Sequence, residues 1–123
     1  MPVDITSLKG MTRAEQLAWA DKYAGVAPGT MDSIWRTETG RGSHPTLIGP
    51  ETKWGTAKGH FQALDSTHAN IEKRLGIPLD RFDFTESLVG GAETMRENRA
   101  KFKTDADAVK AFHGGWNKAN WGP

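Results

Sequence analysis

One glutamate in this chain occupies a position where its carboxyl group could act as an acid. Read as a helix, residues 31–40 place four side chains on one face at the spacing i, i+3, i+4 and i+7, namely Met31, Ile34, Trp35 and Glu38. The apolar neighbours withdraw the Glu38 carboxyl group from water, and the nearby helix C-terminus adds the negative end of the peptide dipoles. Because both effects disfavour the ionised form, Glu38 is expected to hold a proton near neutral pH and donate it as a general acid.

Two structural interpretations of the same pattern stand beside the catalytic one. Glu38 could pair with a buried arginine or lysine, or it could lie where the helix frays toward Gly40 and Gly42. Ion pairs that only hold a fold together perturb carboxyl groups as well. The choice therefore depends on what the rest of the chain places around Glu38.

The composition indicates one globular domain and excludes several classes of function. A chain of 123 residues can build one core but not two. Its net charge is only +1 and no basic block stands out, so nucleic acid is not expected as a partner. No apolar run is long enough to span a bilayer, so we expect no membrane partner either.

Cysteine and histidine usage argues against thiol and metal chemistry. The chain has no cysteine, so it offers no thiol nucleophile, disulfide or thiolate ligand. Its four histidines form neither an HxxxH nor an HxH pair; they are His44, His60, His68 and His113. We therefore expect no metal site.

Five tryptophans are many for a chain of this length. Trp19 and Trp35 lie in helical patterns and are predicted to be core residues. Trp54, Trp116 and Trp121 lie among glycine, lysine and asparagine, where a flat ring is more easily offered to a ligand such as a sugar. Loop tryptophans that pack onto the core would give the same pattern.

Helical patterns cover most of the chain. A capping box at Thr12 to Glu15 opens one helix, and the helix that carries Glu38 is predicted to be capped by Thr30. Three further helices are predicted: one is capped by Asp65 or Ser66 and runs to Leu75, one runs from Thr85 to Lys103, and one from Thr104 to Gly114. We predict a mainly α domain of five or six helices, with at most a small β element between residues 42 and 58.

Two features interrupt these helices. Residues 41–58 contain three glycines and two prolines without a helical period, which is typical of a functional loop or a small irregular sheet. The pair Gly90-Gly91 lies inside the longest predicted helix, where each glycine costs about 1 kcal/mol relative to alanine. Close approach of a second helix would compensate for that cost.

Four segments follow one another in a recognisable order: Glu38-Thr39-Gly40, Thr56-Ala57-Lys58-Gly59-His60-Phe61-Gln62, Leu88-Val89-Gly90-Gly91 and Ala111-Phe112-His113-Gly114-Gly115. This order resembles the motif series of the soluble-type lytic transglycosylases, over about residues 30 to 115. The family series reads Glu-Ser, Gly-Ala-x-Gly-Leu-Met-Gln, Asn-Ile-x-x-Gly and Ala-Tyr-Asn-x-Gly. The resemblance implies a lysozyme-like, mainly helical fold and cleavage of the glycan of bacterial cell walls.

The matched positions imply roles for individual residues. Glu38 matches the family's catalytic acid and base, and Gln62 matches a glutamine whose amide contacts substrate, although a loop-capping amide would look the same. Gly59 would let the backbone approach ligand closely. Phe61 takes a methionine position as core or cleft wall, and Gly91 falls on a helix glycine.

The departures bear on the chemistry. Thr39 replaces a serine and keeps a hydroxyl group, whereas Phe112 and His113 replace a tyrosine and an asparagine. The family's tyrosine hydroxyl orients the glutamate, which phenylalanine cannot do. His113 could offer a ring nitrogen in place of the amide, or could simply be favoured as a cation at a helix C-terminus. The residues expected at the substrate are then Thr39, His60, Phe61, Gln62, Phe112, His113 and Trp54.

The mechanism implied by the resemblance needs one carboxyl group and no cofactor. Glu38 would protonate the bond between N-acetylmuramic acid and N-acetylglucosamine and then deprotonate the muramic C6 hydroxyl group, which closes a 1,6-anhydro ring. A muramidase, the first alternative, would need a second carboxylate, for which Glu51 and Asp65 are nearest in sequence. The second alternative is a non-catalytic glycan-binding or structural module, which the changes at Phe112 and His113 motivate.

The expected partner is bacterial peptidoglycan, met outside the bacterial cytoplasm. The first ten residues lack the charged start and apolar stretch of a signal peptide. With the small size and the lack of cysteine, this suggests a phage-encoded enzyme of the virion or one delivered to the periplasm and cell wall. We expect residues 1–123 to form a single domain with an arm at 1–11 and a tail at 116–123, either monomeric or part of a virion assembly.

Overall fold

A computed structural model describes residues 3–121 as a mainly helical domain with a small two-stranded sheet, which confirms the predicted fold class. The sheet pairs β1 and β2 in antiparallel fashion and lies inside the predicted window of residues 42–58. In chain order the elements are α1 (Ile5–Lys9), α2 (Arg13–Ala24), α3 (Thr30–Thr39), β1 (Ile48–Thr52), β2 (Gly55–Lys58), α4 (Asp65–Leu75), α5 (Phe84–Phe102), α6 (Asp105–Gly114) and a short 3-10 helix (Lys118–Asn120).

Helix α5 is the element against which the other helices pack. Its predicted apolar face is confirmed, since Leu88, Ala92 and Met95 are fully buried. Helices α1, α2, α4 and α6 all contact it. The apolar residues of α3 join the same core, so the face that carries Glu38 is anchored by Met31, Ile34 and Trp35.

Gly91 allows close packing at the centre of this core. A Cβ atom at this position would lie 3.2 Å from the ring of Phe61 and 3.4 Å from Cε of Met31. The compensation expected for the glycine pair thus comes from an aromatic ring of the loop after β2, together with a side chain of α3. Gly90 has only ordinary contacts, with Ile71 and Leu79.

The predicted N-terminal arm contains the short helix α1, which packs on the rest of the domain. The Asp4 side chain accepts a hydrogen bond from the Ser7 amide at 3.0 Å and so caps α1. Leu8 is buried against Ile71 and Val89 in a second apolar cluster, which holds this short helix on α5. Residues 1 and 2 of the arm and 122 and 123 of the tail lie outside the described range.

Two predicted helix caps are corrected. The Thr12 capping box of α2 is confirmed, but Thr30 is the first residue of α3 and the cap position belongs to Gly29. The amides there are satisfied by Asp21 of α2, which accepts from the Gly29 amide at 2.9 Å and the Met31 amide at 2.8 Å. Helix α4 follows Leu64 without a side-chain cap, since neither Asp65 nor Ser66 takes that position.

We expect Asp21→Ala to lower the free energy of unfolding by about 1–2 kcal/mol, because two backbone amides at the start of α3 lose their acceptor. Burial raises the pKa of Asp21 more than its hydrogen bonds from Met31 and Gly29 lower it, so the carboxylate is held against a desolvation cost. Urea denaturation measures the change. Asp4→Ala, which removes the exposed cap of α1, is the matched control and should cost less; equal losses would contradict a special role for Asp21.

Candidate active site

A cleft of about 830 Å³ runs between the β hairpin and the helices packed on α5. Its walls include the last turn of α3, the loop after β2, helices α4 and α5, and the end of α6 with the segment that follows. The structure brings six of the predicted site residues to this cleft: Glu38, Trp54, Phe61, Gln62, Phe112 and His113.

Glu38 lies in the last turn of α3 with its side chain 18 % exposed in the cleft. Its Oε1 atom lies 2.6 Å from Nδ1 of His113, a short hydrogen bond between the ends of two helices. Neither structural interpretation of Glu38 is realised as stated. Its partner is a histidine rather than a buried arginine or lysine, and α3 continues through Thr39 to a Gly40 cap.

His113 lies at a helix end and also contacts Glu38, so its position is compatible with both interpretations given for it, a cation at a helix C-terminus and a ring nitrogen in place of the amide. It lies in the last turn of α6, where the helix dipole favours a cation, and its ring nitrogen contacts the candidate acid. Phe112 lines the cleft and packs partly against the core. The side chain that reaches Glu38 is therefore the imidazole of His113, and Phe112 contributes an apolar surface.

Gln62 both lines the cleft and caps the loop. Its amide nitrogen donates to the carbonyl oxygens of Leu47 at 3.0 Å and Gly59 at 2.9 Å. Gln62 itself adopts a left-handed backbone conformation with φ +53°. Its amide nitrogen thus ties the hairpin to the loop after β2, as the loop-capping interpretation requires.

Thr39 and His60, which the sequence predicts at the substrate, are not among the residues that line the cleft. The buried Thr39 hydroxyl donates to the His60 carbonyl oxygen at 2.9 Å and accepts from the Gly42 amide at 3.1 Å. The ring of His60 accepts from Trp35 Nε1 at 3.2 Å, and burial, with the charge of Arg13, lowers its pKa. Both residues fasten α3 to the loop after β2.

Gly59 also serves packing rather than ligand approach. Its φ is +88°, and a Cβ atom there would lie 2.1 Å from the carbonyl oxygen of Arg81. The adjacent His60 amide donates to that same oxygen at 3.2 Å. The close approach predicted for Gly59 therefore joins two backbone segments, and it sets the position of Phe61 and Gln62.

Two exposed tryptophans line the cleft from different elements. Trp54, 61 % exposed, lies in the hairpin turn, with the Lys53 ammonium group 4.5 Å from its ring centroid. Trp116, 52 % exposed, follows α6 and donates through Nε1 to Oδ1 of the buried Asn98 at 2.9 Å. The rings of Trp116 and Trp121 both pack edge-on against Phe102, but Trp121 does not line the cleft. Trp116 was missing from the predicted site, although the loop tryptophan pattern pointed to it.

The carboxyl groups in and near the cleft differ in their position and in whether a lysine or arginine forms an ion pair with them. Glu51 and Asp65, the expected candidates for a second carboxylate, do not line it. Two carboxylates that do line it are held by cations, Glu86 by Lys9 at 2.8 Å and Glu97 by Arg74 at 3.0 Å. Among the described cleft residues, Glu38 alone has a carboxylate without a lysine or arginine bound to it.

Within residues 3–121 no three histidine or acidic side chains lie close enough together to hold a metal ion. In the same range, no helix combines the length and apolar character that crossing a membrane would require.

Comparison with known proteins gives one informative match. Over 74 residues, 59 % of this chain, the sequence is 38 % identical to a protein of Enterobacteria phage PRD1 named "Transglycosylase". The aligned part spans 26 % of the phage protein, so the chain corresponds to about a quarter of that relative. No protein family profile and no solved structure matches the chain.

Proposed function

We propose that this chain is a lytic transglycosylase that cleaves the β-1,4 bond between N-acetylmuramic acid and N-acetylglucosamine in peptidoglycan, leaving a 1,6-anhydro end. The observation that carries the proposal is the carboxyl group of Glu38, which lies in the cleft, contacts His113 and is bound by no lysine or arginine of residues 3–121. The similarity to a phage protein named "Transglycosylase" supports the same reaction class.

The reaction uses the Glu38 carboxyl group twice. Glu38 first donates its proton to the glycosidic oxygen, the bond from that oxygen to C1 breaks, and positive charge develops at C1. The resulting carboxylate then accepts the proton of the muramic C6 hydroxyl group while the C6 oxygen forms a bond to C1. Glu38 is protonated again at the end, and no water is consumed.

The contact with His113 leaves one carboxylate oxygen for this chemistry. His113 engages Oε1, and no hydrogen bond to Oε2 is found within residues 3–121. Because proton transfer requires hydrogen-bond reach between acid and substrate, Oε2 is the oxygen that we assign to the glycosidic oxygen and later to the C6 hydroxyl group. The His113 contact fixes the orientation of this oxygen in the cleft.

The carboxylates around the cleft favour this single-residue scheme over a muramidase. Hydrolysis by a pair of carboxylates needs a second one that is free to activate water or attack the sugar. Glu86 and Glu97 are bonded to Lys9 and Arg74. Both would have to break an ion pair before acting on water.

The remaining cleft residues suit a glycan strand. Trp54 and Phe112 offer apolar surfaces to sugar rings, and Gln62 places its amide between the hairpin and the loop. A lysozyme-like arrangement of helices around the cleft belongs to the same proposal. We further propose that the protein acts at the bacterial cell wall as part of a virion or after delivery from an infected cell.

The mass of the released products tests the reaction. Purified peptidoglycan sacculi are digested with the wild-type chain, and a parallel sample is digested with a known muramidase to supply hydrated standards. We expect products lighter by one water than those standards, because the C6 hydroxyl group rather than water attacks C1. Hydrated reducing ends would show a muramidase instead, and no soluble product with protein bound to sacculi would show a binding module.

A further inference from the structure

The contact between His113 and Glu38 joins two helix ends that are far apart in sequence. The two residues are 75 positions apart, and their side chains meet at 2.6 Å in the cleft. They are 32 % and 18 % exposed respectively, so the pair is partly screened from water yet open to a ligand. The geometry of this contact depends on how the backbone of each residue is held.

The backbone of His113 is fixed by the packing of α6. The side chain of Asn98 in α5 donates to the Ala108 carbonyl oxygen at 3.1 Å, and Ala111 is buried one turn later. A Cβ atom on Gly114 would lie 2.9 Å from the carbonyl oxygen of Asn120, so the chain after α6 closes tightly on its last turn. His113 therefore projects from a rigid helix end.

The backbone of Glu38 is fixed from the other side of the cleft. The next residue, Thr39, donates its hydroxyl proton to the His60 carbonyl oxygen, and Trp35 one turn earlier is buried and bonded to the His60 ring. With both backbones held, the carboxyl group has little freedom except rotation about its own bonds. The hydrogen bond to His113 removes that freedom at Oε1.

An imidazole nitrogen suits a partner that changes its protonation state. Nδ1–H donates to Oε1 when Glu38 is ionised and also when Glu38 carries its proton on Oε2, because Oε1 is a hydrogen-bond acceptor in both states. One residue thus keeps its contact with Glu38 through both halves of the reaction.

We propose that His113 is a positioning residue that holds Oε1 of Glu38 in both protonation states, rather than a residue that binds substrate. This inference rests on the proposed function for its kinetic effect, but the contact itself does not depend on it. An asparagine at position 113 places its amide group where Nδ1 now lies. Like the ring, that amide offers an N–H donor to Oε1.

Kinetics on soluble, uncrosslinked glycan strands separate positioning from binding. We expect His113→Ala to lower kcat by about 10- to 100-fold with KM within about twofold of wild type, because a misplaced acid slows chemistry without weakening substrate binding. His113→Asn should recover most of the lost kcat. His44→Ala, which removes an exposed histidine outside the cleft, is the control and should match wild type.

Several outcomes would overturn the proposal. A raised KM with unchanged kcat would assign His113 to substrate binding, and unchanged kinetics would remove it from the site. If His113→Ala fails to fold, His113→Asn alone tests the positioning role. A folded asparagine variant with kcat more than tenfold below wild type would contradict the proposal.

A measurement without substrate separates this proposal from the proposed function. We expect the ¹⁵N chemical shifts of the His113 ring to change in Glu38→Gln and to stay unchanged in Glu51→Gln. Unchanged shifts in Glu38→Gln would overturn the contact. If these ¹⁵N shifts change but the wild-type chain releases no anhydro product, the contact between Glu38 and His113 is supported and the proposed enzymatic function is disproved.

Discussion

Replacing Glu38 with glutamine is expected to slow the release of soluble glycan from sacculi by at least about 10³-fold. A general acid or base contributes about 10²- to 10⁴-fold, and here one carboxyl group supplies both steps. Glutamine has nearly the same shape and can still bond to His113, so the fold and the cleft are expected to survive. Turbidity loss of a sacculus suspension measures the rate.

Glu51→Gln is the matched control for this experiment. Glu51 is exposed on β1 and does not line the cleft, so the same chemical change should leave the rate unaltered. Binding of the Glu38 variant to sacculi should persist, since the other cleft residues are intact. Full lytic activity in a folded Glu38→Gln protein would disprove the proposed mechanism outright.

Gly59→Ala is expected to lower the free energy of unfolding by about 3 kcal/mol or more, because strain at positive φ adds to a collision with backbone. The new Cβ atom would lie 2.1 Å from the Arg81 carbonyl oxygen, and neither backbone segment can yield by a side-chain rotation. The loop that carries Phe61 and Gln62 would have to move. Lytic activity is therefore expected to fall along with stability.

Gly55→Ala separates the strain of positive φ from the collision with the Arg81 backbone. Gly55 also has positive φ, at +108°, but a Cβ atom there meets nothing within 4 Å. We expect it to cost only about 1–2 kcal/mol, the strain of the backbone conformation alone. Equal losses for the two variants in urea denaturation would show that the contact with Arg81 is unimportant.

Local signals explain which helices the sequence could predict. The Thr12 capping box and the apolar period of α5 both act within one helix, and the structure confirms both. The start of α3 was mispredicted because its cap, Asp21, belongs to the preceding helix. Helix α1 was missed because it is only five residues long and depends on packing of Leu8 against α5.

Periodicity alone placed Glu38 at the cleft, whereas Phe61, Gln62, Phe112 and His113 were predicted there from the motif order. Glu38 faces the cleft, whereas Thr39 is rotated by about 100° around the helix axis and points into the protein. Nearness in sequence to a catalytic residue therefore did not place Thr39 at the substrate. The meeting of Glu38 with His113 depends on how α3 and α6 dock on α5, which no local pattern encodes.

The same pairing has a consequence for when the proposed activity can begin. Glu38 and His113 are 75 positions apart, so the two meet only after the chain between them has folded back on itself. A ribosome that has made residues 1–100 has produced the acid without the residue proposed to orient it. The proposed activity therefore cannot precede the synthesis of residue 113 and the docking of α6.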